Sequence, residues 1–353
     1  MGDVLMSQPA MRALKETVRD RKITLLTSNA GASIAPFIPE VDEIIPFDVP
    51  WVKTREGGGE QQLLALASSL RNRQFDAAVI FTVYSQNPLP AAMLCYLAGI
   101  DKVLGYCREN PYQLISHWIP DREPFDHVVH EVERQLRLVE NVGAVTPDTR
   151  LSLKLDEGSR QKVSEKISAI LSVWAIQPDE PWLVLHAGVS EEKRRYPASE
   201  YIKACRLLIR QGYKILLTGS GSERGYIDEI AWQLGDSATN MAGGLSVAEL
   251  ISLIAAAPVL VSNNTGPVHI AAAVGTPVVV LYAMTNPQHT PWRVANRVLY
   301  FDVLPQLRTR NQLLQSFPGR STPRASPEAI GIAVNEITRI NNGSKHYRTH
   351  SLL

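Results

Sequence analysis

The sequence has little cysteine, no excess of charge of either sign and no long apolar run. Its three cysteines, Cys95, Cys107 and Cys205, are odd in number and widely spaced, which argues against a disulfide framework and indicates a reducing compartment. Lys and Arg total 36 against 35 Asp and Glu, so net charge gives no reason to expect nucleic acid as a partner. No stretch approaches the roughly 18 apolar residues of a membrane span, and the N-terminal residues show no basic-then-apolar signal region. We therefore expect a cytoplasmic protein whose contact with a membrane, if any, is peripheral.

Two catalytic signatures are also missing. His127 and His130 are three residues apart on a predicted helix, but no acidic or cysteine ligand set accompanies them, so no metal site is predicted. In LLTGSGSERGYIDE (216–229), Gly219 opens a pattern that resembles a dinucleotide fingerprint. Its third glycine falls at 225, one place late for G-x-G-x-x-G, so we do not predict a nicotinamide site.

Short β-branched runs alternate with longer amphipathic stretches along the 353 residues. In the first half, strands are predicted at 22–28, 41–48, 75–82 and 101–106, and helices at 59–72, 88–100 and 127–143. In the second half, strands are predicted at 181–188, 213–220, 258–264 and 277–284, and helices at 197–211, 223–234, 246–257 and 266–275. This alternation predicts an α/β fold with two Rossmann-like, doubly wound domains of parallel strands that face each other across a ligand cleft.

The alternation of strands and helices is interrupted by a polar segment over residues 146–166, and this interruption sets the predicted domain boundaries. We predict an N-terminal domain over residues 1–150, an interdomain connection over 151–178 and a C-terminal domain over 179–325. A last helix over 326–340 and a flexible tail over 341–353 complete the chain.

The chain opens with MGDVLMSQPAMRALK, in which a Gly2–Asp3 turn precedes a helix. Such a turn often carries a working carboxylate in α/β domains, but it normally follows a buried strand, and only Met1 stands before it. Asp3 is therefore a working residue, a helix cap or the remnant of a truncated domain. We expect the first strand to be missing and Asp3 to lie on a fraying end of the chain.

The strongest local pattern is PVLVSNNTGPVHIAAAVGTPVVVLY (258–282). A strand ends at Asn264, Thr265 and Gly266 begin a turn, and a helix of small residues follows at once. The N–H groups and the dipole at this helix start form an anion site. The alternative is an ordinary, well-capped helix. His269, in the first turn, either touches a phosphate or is a packed core histidine.

A cationic cluster follows another strand in HAGVSEEKRRYP (186–197). Lys193, Arg194 and Arg195 stand in a strand-to-helix loop, where they could bind a diphosphate and neutralise its charge as it leaves. The alternative is a solvated surface paired with the two preceding glutamates. In the next such loop, Glu223 either binds a ribose hydroxyl or caps the helix.

Together these segments resemble glycosyltransferase family 9, the ADP-heptose:lipopolysaccharide heptosyltransferase family, which has the GT-B architecture. The resemblance runs in order through GDVLMSQPAMRALK (2–15), HEVERQLRLVENVG (130–143), HAGVSEEKRRYP (186–197) and SNNTGPVHIAAAVGTP (262–277), and covers the chain up to about residue 340. It implies an inverting enzyme that moves a heptose or related sugar from a nucleotide sugar, ADP-heptose in this family, to a lipopolysaccharide or other cell-surface glycan. The N-terminal domain then binds the acceptor, with candidate loops at 51–61 and 84–90.

The resemblance also implies residue roles. Asp3 matches the family's general base, and Lys193 or Arg194 assists the departure of the nucleotide. The implied donor-binding residues lie in or beside the loops of the second domain: Arg195, Gly219, Glu223, Asn264, Thr265, Gly266 and His269. Fixed cations replace a metal in this role, so no metal and no cofactor beyond the nucleotide-sugar substrate is expected.

Two positions depart from the family pattern. Asn264 stands where the family commonly has Asp, which removes a charge beside the donor, and Tyr196 stands where Trp is usual. The loss of charge and of a first strand keeps a second hypothesis open, a non-catalytic relative that binds a nucleotide sugar. A third is a nucleotide-sugar epimerase of the same architecture.

Overall fold

The computed structural model describes residues 1–52, 58–173, 181–189, 191–283, 287–302 and 324–349. The chain divides into two compact units, one over Asp3–Thr149 and the other over Arg150–Leu353. Some parts of the predicted segments lie outside the described residues. They are 53–57 in the loop 51–61, 174–178 in the connection, 179–180, 190, 284–286 and 303–323 in the C-terminal domain, and 350–353 in the tail.

The N-terminal unit alternates helices with short parallel strands. Its helices are α1 (Gly2–Met6), α2 (Gln8–Thr17), α3 (Asn29–Ala32), α4 (Glu60–Asn72), α5 (Leu89–Leu97) and α6 (Glu131–Glu140). Its strands are β1 (Thr24–Thr27), β2 (Glu43–Pro46), β3 (Ala78–Ile80), β4 (Val103–Cys107) and β5 (His117–Pro120). β1 pairs with β2, and β4 pairs with β3 on one side and β5 on the other, all in parallel.

Helix α6 shows how the local sequence sets the ends of an element. His130 precedes it, and its Nδ1 accepts a hydrogen bond from the backbone N–H of Val132 at 3.2 Å. Beyond its C-terminal end, Gly143 has a φ of 75°, which glycine adopts without strain. Between these ends, Leu138 packs with Leu104 of β4 in an apolar cluster, so the helix is fixed to the sheet.

The C-terminal unit contains one parallel sheet of six strands. The strands are β6 (Trp182–His186), β7 (Lys214–Thr218), β8 (Ala238–Asn240), β9 (Leu260–Asn263), β10 (Val278–Ala283) and β11 (Asn296–Phe301). The helices are α7 (Glu157–Val173), α8 (Ala198–Arg210), α9 (Arg224–Leu234), α10 (Val247–Ala256), α11 (Gly266–Val274) and α12 (Pro327–Thr349). The strands lie in the order β11-β10-β9-β6-β7-β8, which is that of the Rossmann fold. The predicted α/β fold of parallel strands is confirmed.

The core of this unit follows from its sequence. β9 and β10 lie inside the sheet and are buried along their whole length. Val278–Ala283 reads as a continuous apolar run, as expected of a strand that is covered on both faces. Side chains of three helices complete one apolar cluster with the sheet, among them Tyr201 of α8, Ile230 of α9 and Val334 of α12.

Some elements differ from the sequence-based predictions. β5, β8 and β11 were not predicted. The last helix continues through Thr349, so residues 341–349, predicted as flexible tail, are helical. Helix α7 lies in the predicted connection; it belongs to the C-terminal unit, where Lys166 pairs with Glu249 of α10 at 2.7 Å.

Candidate active site

The strand order of the six-stranded sheet changes direction between β6 and β9. These two strands are neighbours in the sheet although two strands separate them in the sequence. In doubly wound folds, ligands bind outside the carboxyl ends of the strands at this switch point. The carboxyl ends here are His186 and Asn263, and both following loops carry residues predicted to bind the donor.

The side chain of Asn263 joins these two loops. It is completely buried; its Oδ1 accepts a hydrogen bond from the backbone N–H of Tyr196, and its Nδ2 donates to the carbonyl of Ala187, both at 3.0 Å. Ala187 and Tyr196 lie near opposite ends of the β6–α8 loop. One side chain therefore fixes both ends of the loop to β9. Asn263 was not predicted as a site residue; the available signal was a polar residue at the end of an apolar strand.

Tyr196, at a position where the resemblance led us to expect tryptophan, anchors the same loop. Only 2% of it is exposed. Its ring packs edge-on against Tyr201 at 5.0 Å and Phe301 at 5.3 Å between centroids. The smaller aromatic ring is thus still a core residue, and it holds the end of the basic segment in place.

The two arginines of the basic loop are largely buried. Arg195 Nε lies 2.9 Å from both carboxylate oxygens of Glu192, and its guanidinium lies 4.5 Å from the ring centroid of Tyr226. Arg194 Nη2 lies 3.6 Å from Glu191. The arginine side chains are only 20% and 19% exposed, whereas the paired side chains of Glu191 and Glu192 are 35% and 76% exposed. The predicted pairing with the two preceding glutamates is therefore present, and the solvated side of each pair is the glutamate. Among the described residues, Arg194 Nε and Arg195 Nη1 have no hydrogen-bond partner, and both are suited to bind an anion.

Glu223 fixes the loops after β6 and β7. Its Oε1 accepts a hydrogen bond from the Val189 N–H at 2.6 Å, and its Oε2 accepts from the N–H and the hydroxyl of Ser220 at 2.9 and 2.7 Å. Burial raises the pKa of this carboxyl, but the hydrogen bonds outweigh it, so the pKa lies below its ordinary value. Of the two interpretations, the capping role is present in the structure. Ribose binding by Glu223 stays a prediction.

Two glycines permit the close approach of these loops. A Cβ on Gly188 would overlap the carboxylate of Glu223, and a Cβ on Gly219 would overlap Ile227. Gly219, predicted as a donor-binding residue, therefore packs closely against the Ile227 side chain of α9. A donor contact with Gly219 stays a prediction.

Helix α11 begins directly after β9. Asn264 is 3% exposed, and its N–H donates to the carbonyl of Leu281 at 3.2 Å. The hydroxyl of Thr265 donates to the Asn263 carbonyl at 3.3 Å and does not cap the helix. A helix start without a side-chain cap can bind an anion through its first-turn N–H groups. His269 lies in the same turn and is 3% exposed, so it is a buried histidine whose phosphate contact stays a prediction.

The phenol of Tyr282 in β10 lies beside this helix start. It is 1% exposed, and its ring centroid lies 5.6 Å from that of Tyr300. Burial, assisted by Tyr300, raises the pKa of Tyr282 well above its ordinary value, and Arg194, His289 and Asn264 oppose this only in part. Tyr282 is therefore a neutral hydroxyl between the basic loop and α11. It was not predicted as a site residue.

His186, at the end of β6, does not add charge to the switch point. Its Nδ1 lies 3.0 Å from the Thr218 hydroxyl. Burial lowers its pKa to about 4, with the nearby Glu223 opposing this effect. The imidazole is therefore neutral at neutral pH, and the positive charge of the described site residues comes from the arginines.

Asp3 lies in the N-terminal unit, in the first turn of α1, with an exposed side chain. The prediction that Gly2 and Asp3 form a turn on a fraying end of the chain is wrong, because both residues belong to helix α1. The Asp3 carbonyl accepts hydrogen bonds from the N–H and the hydroxyl of Ser7 at 3.0 and 2.9 Å. These bonds fix the segment to the junction of α1 and α2.

The predicted donor-binding residues therefore meet at one edge of the C-terminal sheet, in or beside the loops after β6, β7 and β9. Asp3 belongs to the other unit, and the side chain of Lys193 lies outside the described residues. In the described segments, His, Cys, Asp and Glu form no cluster of three or more that could ligate a metal ion. Among the described helices, none combines the length and the apolar character that a membrane span requires.

A Rossmann sheet with cations at its switch point, together with a second α/β unit, is the architecture of GT-B glycosyltransferases. A family 9 glycosyltransferase from Veillonella parvula matches with a TM-score of 0.72 and 17% identity, over 96% of this chain and 94% of that one. The ADP-heptose lipopolysaccharide heptosyltransferase II of Escherichia coli matches with a TM-score of 0.69 and 22% identity, over 96% of both chains. These likenesses establish the shared fold.

A family-level match covers most of the sequence. The model of glycosyltransferase family 9 (heptosyltransferase) matches residues 63–311. Lipopolysaccharide heptosyltransferase 2 of Escherichia coli is 26% identical over 297 residues, 82% of each chain. Lipooligosaccharide heptosyltransferase 2 of Haemophilus influenzae is 26% identical over 305 residues, 82% of this chain and 83% of that one. The chain therefore belongs to glycosyltransferase family 9 and is a glycosyltransferase.

Proposed function

We propose that this protein is an inverting glycosyltransferase that moves a heptose from ADP-heptose to a lipopolysaccharide acceptor. The observation that carries the proposal is the switch point of the C-terminal sheet. Two arginines, each with a buried N–H group that has no hydrogen-bond partner, lie there at the same edge as the uncapped start of α11. Membership of family 9 and the names of the bacterial relatives support the class of sugar and acceptor.

The proposed donor site uses fixed cations and N–H donors to bind the diphosphate. Arg194 and Arg195 are held by ion pairs and by stacking on Tyr226, so little reorganisation is needed when the ligand arrives. Arg194, or Lys193 beside it, neutralises the charge that develops as ADP departs. The first-turn N–H groups after Thr265 bind the same phosphates. Because these groups supply the positive charge, we propose that no metal and no further cofactor takes part.

In the proposed reaction Asp3 is the general base. An acceptor hydroxyl attacks the anomeric carbon of the heptose on the face opposite the diphosphate. The new C–O bond forms as the bond to the diphosphate oxygen breaks, ADP leaves with the electron pair, and the hydroxyl proton moves to the Asp3 carboxylate. This single displacement inverts the anomeric configuration. The exposure of Asp3, which leaves its carboxylate accessible to an acceptor, supports the assignment.

The proposed acceptor is a glycolipid or polysaccharide of the cell surface. We place the enzyme in the cytoplasm, with peripheral contact at the inner face of the plasma membrane, where such an acceptor is presented. Nucleic acid is not a proposed partner, since 36 basic residues are balanced by 35 acidic ones.

The test is transfer in vitro from ADP-heptose to lipopolysaccharide that lacks heptose. We expect ADP release that depends on the acceptor, and a product heavier by one heptose. Arg195→Ala should raise the donor KM, whereas Arg210→Ala, an exposed arginine at the end of α8, should not. Binding of ADP without transfer to any acceptor would contradict the proposal and favour the non-catalytic relative. Conversion of the donor sugar without an acceptor would contradict it in favour of an epimerase.

A further inference from the structure

The carboxyl ends of β3, β4 and β5 lie at one edge of their three-stranded sheet, because the strands are parallel. A pocket of about 180 Å³ lies at this edge, between the end of β4, the loop after β5 and helix α6. Its lining includes Tyr106, His127 and Arg137. The loop after β3, residues 81–88, also starts from this edge and contains the first part of the predicted acceptor loop 84–90. Ligands of α/β folds bind outside the carboxyl ends of the strands, so this edge is suited to the acceptor.

The buried side chain of Arg134, in α6, joins two loops at this edge. Only 3% of it is exposed. Its Nε donates a hydrogen bond to the carbonyl of Thr82, in the loop after β3, at 2.9 Å. Its Nη1 and Nη2 donate to the two carboxylate oxygens of Asp121, in the loop after β5, both at 2.9 Å, and Nη1 also donates to Glu123. The guanidinium lies 4.3 Å from the ring centroid of Tyr106. This set of contacts uses all three nitrogens of a planar guanidinium, which lysine cannot reproduce.

Two neighbouring side chains hold the loop after β3 at the same points. Nε2 of Gln135 donates to the Thr82 carbonyl at 3.2 Å. Arg108, the first residue after β4, donates through Nη2 to the carbonyl of Tyr84 and, at 2.8 Å, to that of Glu123. Two backbone carbonyls of the loop after β3 are therefore bonded to side chains that also bond the loop after β5 or belong to α6.

The carboxyl group of Glu131 lies beside this network without drawing Arg134 away from the loops. Its Oε1 accepts a hydrogen bond from Nε2 of Gln135, and the residue is 1% exposed. Burial raises the pKa of Glu131 to about 8, and the charge of Arg134 opposes this effect. Glu131 is therefore uncharged at neutral pH, and Arg134 forms its ion pairs with Asp121 and Glu123 of the loop after β5.

We propose that Arg134 is a positioning residue for the acceptor: it fixes the loop after β3 to the loop after β5, so that this edge presents a preformed surface to the acceptor sugar. The inference rests on the proposed function, in which a glycan acceptor binds the N-terminal unit. A preformed surface loses less conformational entropy on binding than a loop that the ligand must order. Release of Thr82 should therefore weaken acceptor binding and leave donor binding, in the other unit, unchanged.

The activity test measures transfer from ADP-heptose to lipopolysaccharide that lacks heptose, with each substrate varied in turn. Arg134→Lys keeps the positive charge and loses the planar fork, so the acceptor KM should rise about tenfold while the KM for ADP-heptose is unchanged. An unchanged acceptor KM, or an equal rise in both KM values, would overturn the proposal.

Arg12→Lys is the matched control. Arg12 is another buried arginine of the same unit, with an 11% exposed side chain. It pairs with Glu40 at 2.8 Å and donates to the carbonyl of Asp148 at 2.9 Å, and these partners belong to neither loop. The control should lower the Tm without raising the acceptor KM. A rise as large as that of Arg134→Lys would overturn the proposal in favour of a purely structural role.

Gln135→Met carries the same test if Arg134→Lys does not fold. Methionine keeps the length of the side chain and changes no charge, but it removes the amide that donates to Thr82 and Glu131. The acceptor KM should rise about threefold, with the KM for ADP-heptose unchanged. An acceptor KM equal to that of the wild type would overturn the proposal.

Hydrogen exchange observes the loop directly and does not depend on catalysis. Deacylated lipopolysaccharide that lacks heptose should slow exchange in residues 81–88 of the wild type, and without it this loop should exchange faster in Arg134→Lys than in the wild type. A loop that the acceptor does not protect would overturn the inference even in an active enzyme. Failure of the proposed function has a different outcome: no transfer by the wild type, although the acceptor still protects the loop.

Discussion

The effect of replacing Asn263 by alanine follows directly from two hydrogen bonds. The amide is completely buried and bonds the N–H of Tyr196 and the carbonyl of Ala187, both at 3.0 Å. Alanine leaves both buried backbone groups without these partners. Each such group costs about 1–3 kcal/mol. We therefore expect Asn263→Ala to lower the free energy of unfolding of the C-terminal unit by about 2–6 kcal/mol.

Urea unfolding followed by hydrogen-exchange mass spectrometry measures this loss, because exchange in β6 and β9 reports on the C-terminal unit alone. The m-value should not change, since the surface exposed on unfolding is the same. Gln161→Ala is the matched control. Its amide donates to Glu165 at 3.2 Å on an exposed face of α7, so its loss should cost at most about 1 kcal/mol.

The substitution should also weaken nucleotide binding. Asn263 fixes both ends of the loop that carries Arg194 and Arg195, so its removal releases the cations from their orientation. Calorimetric titration with ADP should give a higher Kd. An Asn263→Ala protein as stable as the wild type would refute the hydrogen-bond reasoning. A destabilised variant with unchanged ADP affinity would refute the positioning role.

Three further effects follow from buried groups. Between pH 4.5 and about pH 8, folded Glu131 keeps a proton that the unfolded chain has lost, so the free energy of unfolding should fall with rising pH by about 1.4 kcal/mol per pH unit. Urea unfolding of Glu131→Gln should lack this slope, and an equal slope would contradict the assignment. Gly188→Ala should lower the Tm, because the added Cβ overlaps the carboxylate of Glu223. Gly225→Ala should not lower it, because the space around the added Cβ is open. Equal Tm values for the two variants would contradict the packing argument. The pKa of Glu223 is lower in the folded protein, so its charged carboxylate stabilises the fold above about pH 4.5, and this stabilisation is lost as the pH falls. The difference in Tm between Glu223→Gln and the wild type should therefore become smaller in acid. A difference that stays constant would contradict this.

The strands that were not predicted from the sequence share one position in the fold. β5 is an edge strand of its three-stranded sheet, and β8 and β11 are the two edges of the six-stranded sheet. Inner strands such as β10 are apolar throughout, because both faces are covered. An edge strand needs less apolar surface, and Ala238–Asn240 is only partly buried along its three residues. The apolar pattern therefore predicts the inside of each sheet better than its edges.

The residues of the candidate site were predictable where charged or turn-forming residues come directly after a strand. Arg195 after β6 and Gly266 after β9 are conspicuous in the sequence, and the parallel topology brings their loops to one edge of the sheet. The role of Asn263 was not predictable in this way. Asn263 bonds Ala187 across 76 residues. This role exists only once the chain has folded.

The central claim is that Asp3 is the base of an inverting heptosyl transfer. The most direct measurement compares heptose transfer by Asp3→Asn and by the wild type, with ADP binding measured on the same preparations. The account predicts a loss of about 100-fold or more in kcat, an unchanged Kd for ADP, and a wild-type product of inverted anomeric configuration by NMR. Transfer by Asp3→Asn at the wild-type rate, or a product with retained configuration, would contradict it.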